Sequence, residues 1–226
     1  QIPVGMGSRS ELIETFESTG RLDRVVEGIA PNDELFRRAS DGKGLTRPEL
    51  AVLLSTAKLA TQDGVEAAPL AEDPSMDGEL LAAFPDAMVK KHKSAILAHR
   101  LRKEIIATKL ANRMINRLGL LHPFELAEEE GCGLGEVAAA FAIAERIYDL
   151  PALWQAIDTA EMPESTRLLL FNQTAVEVRA QMADLIRNAA EGRDVGAATA
   201  LYTPVVQKLS TSLDSLLPAD VRHQTE

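Results

Sequence analysis

Cysteine is nearly missing: Cys132 is the single one in 226 residues. A lone thiol can form neither an internal disulfide nor a cysteine cluster for zinc, which points to a reducing, cytoplasmic setting. Aromatic residues supply only 4% of the chain, and runs of Val, Ile and Thr are scarce. The β-branched, aromatic surfaces that strands are built from are therefore not available. No apolar stretch approaches the roughly 20 residues that a membrane-spanning helix needs. The start, Gln1-Ile2-Pro3-Val4-Gly5, lacks an initiator Met and has neither the basic nor the apolar region of a signal peptide, so it reads as a cut through a longer protein or as a remnant of cloning. Positive charge is also in deficit. A formal net charge of −10 repels nucleic acid and anionic membranes as general partners.

What the chain does have is Ala and Leu, 63 residues together, both of which lose little side-chain entropy in a helix. The expected fold is all-α, an irregular multi-helix bundle, with residues 1–226 as a single helical domain. The strongest helix start is Thr46-Arg47-Pro48-Glu49. Thr46 and Glu49 have the spacing of a capping box, and Pro48 in the first turn costs no intrahelical hydrogen bond. The helix it opens carries Leu50, Leu53, Leu54, Ala57 and Leu59 at the spacing of a buried stripe. Residues 62–75, rich in Gly, Pro and Ala, read as a surface loop and the best place for an internal boundary. Residues 79–84 should resume a helix that Pro85 restarts. The longest helix is expected over 94–118, ended by Gly119. Gly192-Arg193-Asp194 should separate the last two helices, the final one running over 195–216 with a bend at Pro204, and the tail 220–226 should fray.

Motifs for chemistry are weak. Gly131-Cys132-Gly133-Leu134-Gly135 is glycine-rich but follows an acidic helix instead of a strand, so it does not make a dinucleotide fingerprint, and no phosphate loop occurs. The four histidines are scattered and show no Glu-x-x-His or His-Glu-x-x-His spacing for a metal. Acids at Glu128 to Glu130 and Glu136 disfavour a thiolate at Cys132. No catalytic, cofactor or metal residue is assigned.

The stretch 90–117 stands apart. It holds nine Lys or Arg against Glu104 alone, a local +8 beside −18 for the rest of the chain. On a helix His99, Arg102, Lys109, Arg113 and Arg117 share one stripe. Such a stripe fits an acidic partner or RNA, which would make the chain a free-standing binding module. It also fits packing among acidic neighbours within the same protein, and the lack of interleaved aromatics for base stacking favours the latter. On the other side, Glu104, Thr108 and Asn112 run at i, i+4 and i+8. With Arg100 and Asn116 they are expected to form a polar seam hydrogen-bonded to neighbouring helices.

Two segments carry a family resemblance. Gly42-Lys43-Gly44-Leu45-Thr46-Arg47-Pro48-Glu49-Leu50-Ala51-Val52-Leu53-Leu54 is one, and His99-Arg100-Leu101-Arg102-Lys103-Glu104-Ile105-Ile106-Ala107-Thr108-Lys109-Leu110-Ala111-Asn112 is the other, with Gly20-Arg21-Leu22-Asp23-Arg24 and Leu150-Pro151-Ala152-Leu153-Trp154 flanking them. Together they resemble the C-terminal region of the large bacterial NAD-specific glutamate dehydrogenases. The resemblance implies a parent that converts L-glutamate, NAD and water to 2-oxoglutarate, ammonia and NADH. It also implies that the catalytic lysine, the aspartate and the Rossmann glycines precede this segment. On that basis no cofactor binds here, NAD belongs to the parent, and the partners are the catalytic domain of the same chain and further copies in a homo-oligomer.

Overall fold

The computed structural model describes residues 4–188 and 194–216, and among these twelve α-helices and two short 3-10 turns account for the regular structure. The expected break at Gly192-Arg193 and the fraying of 220–226 lie outside the described residues. The helices are α1 (Val4–Ser18), α2 (Arg24–Glu27), α3 (Asn32–Ser40), α4 (Arg47–Ala67), α5 (Asp77–Leu81), α6 (Asp86–Leu97), α7 (Arg102–Leu118), α8 (His122–Glu129), α9 (Leu134–Ile147), α10 (Leu150–Thr159), α11 (Glu164–Arg187) and α12 (Val195–Leu216). The all-α expectation holds.

α9 is the hub. From Val137 to Ile147 almost every residue is buried, and α4, α7, α8, α10, α11 and α12 pack around it. A helix that is apolar on all sides has to lie inside a fold. α7 lies beside it and buries Ile106, Ala107, Leu110, Ala111, Met114, Ile115 and Leu118 on one arc. A smaller core, built by Leu12, Ile13 and Phe16 of α1 and by Leu35 of α3, closes over Leu53, Ala57 and Ala60 of α4 and Ile115 of α7. α4 and α7 thus pass through both cores and join them.

Several element boundaries differ from the sequence expectation. Residues 62–75 are no surface loop. α4 continues to Ala67, the turns Pro69–Glu72 and Pro74–Met76 follow, and Leu70, Ala71 and Met76 are buried. The buried face of α4 is Leu53, Ala57, Ala60, Thr61 and Val65, while Leu50 and Leu59 are exposed. Gly64 does not break this helix because its missing side chain is where α9 approaches. A Cβ on Gly64 would lie 2.8 Å from the Cβ of Leu134, and one on Gly135 would lie 2.4 Å from the Cβ of Ala68 and 2.8 Å from the Gly64 carbonyl oxygen.

The single helix expected over 94–118 is two. α6 ends at Leu97, α7 begins at Arg102, and α11, with 24 residues, is the longest described helix. Between α6 and α7 the Leu101 N–H donates to Nδ1 of His99 at 3.1 Å. A side chain that captures a nearby backbone donor in this way competes with helix continuation. The helix expected over 79–84 is α5, shifted toward the N-terminus to Asp77–Leu81. Pro204 sits inside α12.

The α4–α9 contact gives a prediction whose sign is informative. Helix propensity alone would make Gly135→Ala stabilising by about 1 kcal/mol. The clash should reverse this, and urea unfolding should show a loss of about 1 to 3 kcal/mol. A variant as stable as the parent would mean that the two backbones are not in close contact.

Candidate functional site

Two charged nodes are built around Glu49 and Glu145, the buried carboxylates among the described residues. The first is Glu49, in the first turn of α4 and only 4% exposed. Its Oε2 accepts from the Thr46 N–H and the Thr46 hydroxyl, both at 2.7 Å, and its Oε1 accepts from the Ala30 N–H at 3.0 Å. Arg38 of α3 donates to both oxygens, at 3.1 and 2.9 Å. Burial alone would raise the pKa of this carboxyl. The Thr46 and Ala30 donors and the Arg38 charge outweigh it and hold the pKa below the ordinary value. Thr46, Pro48 and Glu49 therefore start a helix and also tie α3 and the α2–α3 connection to α4. Nearby, Arg24 makes a matching clamp with both Glu17 oxygens and the Asn32 side chain.

The second node is Arg113 of α7. Its guanidinium donates to Glu145 of α9 at 2.6 and 2.7 Å and to Glu79 of α5 at 2.9 and 2.7 Å. One cation thus faces two carboxylates. Burial is the largest influence on Glu145 and pushes its pKa up, against the pull of Arg113. Burial pulls the Arg113 pKa down, and the same pair of acids outweighs it and holds the guanidinium protonated.

The other members of the basic stripe have varied fates. Arg102 bonds Asp77 at 2.6 Å and the carbonyls of Ala71 and Asp73, which fixes the segment once expected to be a loop. Arg117 bonds Asp158 at 3.2 Å and lies over the rings of Trp154 and Phe171, with centroids 5.1 and 5.4 Å away. His99 is half-buried beside Phe84, and Lys109 is half-buried. Three of the five stripe residues thus point into the protein as anchors between helices.

The seam does not form as expected. Arg100, Thr108 and Asn116 are exposed, and Glu104 and Asn112 are half-buried. The Asn112 amide bonds the Thr108 carbonyl of its own helix at 2.8 Å. Only Thr108 reaches another helix: its hydroxyl lies 3.0 Å from Gln62 Oε1 and 2.7 Å from the Glu104 carbonyl. The cause is geometric. A row at i, i+4, i+8 rotates by about 40° per step on a straight helix, so a row that starts at the edge of the buried arc turns into solvent.

A groove of about 930 Å3 opens where α4, α9 and the start of α12 come together, walled by Ala68, Leu134, Ala140, Ile143 and Val195. The acids at its rim already serve the backbone. Asp73 accepts from the N–H groups of Ser75 and Val195, Glu136 from Gly133, and Asp194 from Gly196. Cys132 lies close by in sequence and is half-buried. Burial, then Glu136 and Glu130, push its thiol pKa up, which makes it a poor nucleophile. Among the described residues no group of three His, Cys, Asp or Glu could hold a metal ion, and no helix is long and apolar enough to cross a membrane.

Sequence reasoning missed the Glu79–Arg113–Glu145 node. Its available signal was Glu145 itself, one acid ending the run Val137-Ala138-Ala139-Ala140-Phe141-Ala142-Ile143-Ala144. An acid in so apolar a stretch requires a buried cation.

The nodes, the helix caps and the inward-facing arginines tie together an all-α, multi-helix fold. The sequence profile of the family described as "Glutamate dehydrogenase, C-terminal" matches residues 42–226, and the chain belongs to this family. It is similar to proteins named NAD-specific glutamate dehydrogenase: 29% identical over 93% of the chain to that of Pseudomonas aeruginosa, 30% over 70% to that of Halomonas elongata, and 27% over 88% to that of Mycobacterium tuberculosis. The matched regions are 13, 10 and 12% of the lengths of those relatives, so the chain spans only about an eighth of the proteins it resembles.

The two nodes respond differently to substitution. Because the Glu49 pKa is depressed on folding, its contribution is present above the unfolded carboxylate value and lost as pH falls through the folded one. Glu49→Gln should cost about 2 to 4 kcal/mol near neutral pH, and the gap to the parent should close in acid. A gap independent of pH would rule out an ionised Glu49 as its source. Arg113→Met leaves two carboxylates together without a cation and should cost about 3 to 5 kcal/mol. Adding Glu145→Gln to that variant should recover part of the loss, and a purely additive double variant would show that the acids do not repel each other.

Proposed function

We propose that this chain is the non-catalytic helical end of an NAD-specific glutamate dehydrogenase, with a structural role. In this reading the parent oxidises L-glutamate to 2-oxoglutarate and ammonia and reduces NAD to NADH. The segment docks on the catalytic domain and contributes to homo-oligomer contacts, while NAD is bound elsewhere in the polypeptide. The parent works in the cytoplasm.

The observation that carries the reading is the family membership of a segment that makes up about an eighth of its relatives' length. The use of its charged side chains supports it. Glu49, Glu145, Arg102, Arg113 and Arg117 all bond other helices or turns of the same segment, as a scaffold requires. Exposed apolar residues on two outer helices, Leu168, Leu169 and Val176 of α11 and Leu201, Val205 and Leu209 of α12, offer area for contacts beyond the segment.

The test is a comparison of two proteins. The purified 226-residue chain should give no glutamate-dependent NADH formation, while a parent polypeptide lacking this segment should keep its catalytic groups but unfold at lower temperature. NADH formation by the chain alone would overturn the non-catalytic assignment. A shortened parent of unchanged stability and activity would overturn the structural role.

A further inference from the structure

The cations of the 90–117 stretch fall into two groups. Arg102, Lys103, Arg113 and Arg117 each have a carboxylate partner inside the segment. Lys90, Lys91 and Lys93 of α6 are exposed and take part in no ion pair with a described residue. Arg100, between α6 and α7, and Lys109 of α7 are also in no ion pair with a described residue, so three of the five uncompensated cations cluster on α6.

α6 is also poorly supported. Of its 12 residues only Ile96 is buried, and the helix packs chiefly on α5. Met88 is 45% exposed, and the backbone leaves helical geometry at His92, with φ −131° and ψ 26°. A helix with so little buried surface is normally stabilised by oppositely charged pairs along its face or by bridging between domains. Here Lys90 and Lys93 are like charges at i, i+3, which repel each other, and Asp86, the one acid of the helix, makes no ion pair with a described residue to offset them. A conformation with little inward packing and self-repelling charge calls for an external partner of opposite sign.

We propose that α6 is a docking arm that lies against an acidic face on the remainder of its own polypeptide, with Lys90, Lys91 and Lys93 supplying the positive half of the contact. This rests on the structural role proposed above. Two observations select that occupant. The relatives extend far beyond the matched segment, which covers only 10 to 13% of them, so most of the polypeptide is available to meet this surface. Outside 90–117 the segment carries −18, so an acidic neighbour is repelled by most of its surface and attracted at α6. Complementary charge of this kind sets orientation and excludes wrong faces more than it adds raw affinity.

Amide hydrogen exchange on the full parent polypeptide tests this, using a triple variant Lys90→Glu, Lys91→Glu, Lys93→Glu and a control Lys58→Glu, Lys109→Glu, Lys208→Glu. Amides of 89–97 should exchange about tenfold faster in the triple variant than in the parent and the control, with the amides of α9 unchanged as a check on folding. Raising salt should have the same effect on the unaltered parent. Equal exchange of 89–97 in parent and triple variant would mean that α6 is a solvated face, and would overturn the proposal. So would salt-steep RNA binding by the parent that the triple variant loses. Truncating the parent separates the two readings. If removal of the upstream domains deprotects α11 or α12 but not α6, the docking role stands and this surface is wrong. If it deprotects no part of the segment, both fail.

Discussion

Three helices are positioned by a single guanidinium. Arg113 of α7 reaches Glu79 on the five-residue α5 and Glu145 on the central α9, so the rotation of each helix is set by directional bonds and not by apolar contact alone. A buried ion pair is weak evidence for net stability, because desolvation offsets much of the attraction. Its strength lies in what it forbids. Any slip of α5 or α9 past α7 would leave a carboxylate in the interior without its cation. Burial, with a smaller push from the Glu79 charge, moves the Glu145 pKa up against the pull of Arg113.

A second level of order lies in how α4 serves both cores. Its first turn carries Glu49, which gathers the Ala30 backbone and Arg38. Its last turn and C-cap carry Gly64 and Ala68, against which the start of α9 rests with no room for a Cβ on Gly135. The same helix therefore closes the small N-terminal core by charge and the large core by the absence of side-chain bulk. For a domain whose proposed work is to hold other parts of a polypeptide in place, a rod joining two cores is a suitable element.

Much of this was readable beforehand, and the failures have physical causes. Helix class, the start at Thr46-Arg47-Pro48-Glu49 and the stop at Gly119 follow from local rules and appear as expected. What local rules do not contain is the partner. Gly64 and the prolines at 69 and 74 look like loop punctuation until α9 and Arg102 supply the neighbours that order them. The break at His99 depends on one side chain turning back on its own backbone. The basic stripe was visible as a pattern, and packing among acidic neighbours was the favoured reading, but no spacing rule could pair Arg113 with residues 34 and 32 positions away. Polar residues at i, i+4 suggested a seam because the row was phased on the wrong arc of α7.

Arg117 lies against the face of Trp154, which stacks on Phe141 with ring centroids 6.1 Å apart and is 3% exposed. Trp154 is the chain's single tryptophan. One indole, shielded from water and with a cation over its ring, therefore reports on the junction of α7, α9 and α10. The emission colour and quenching of this fluorophore would register any loosening of that junction, with no label attached.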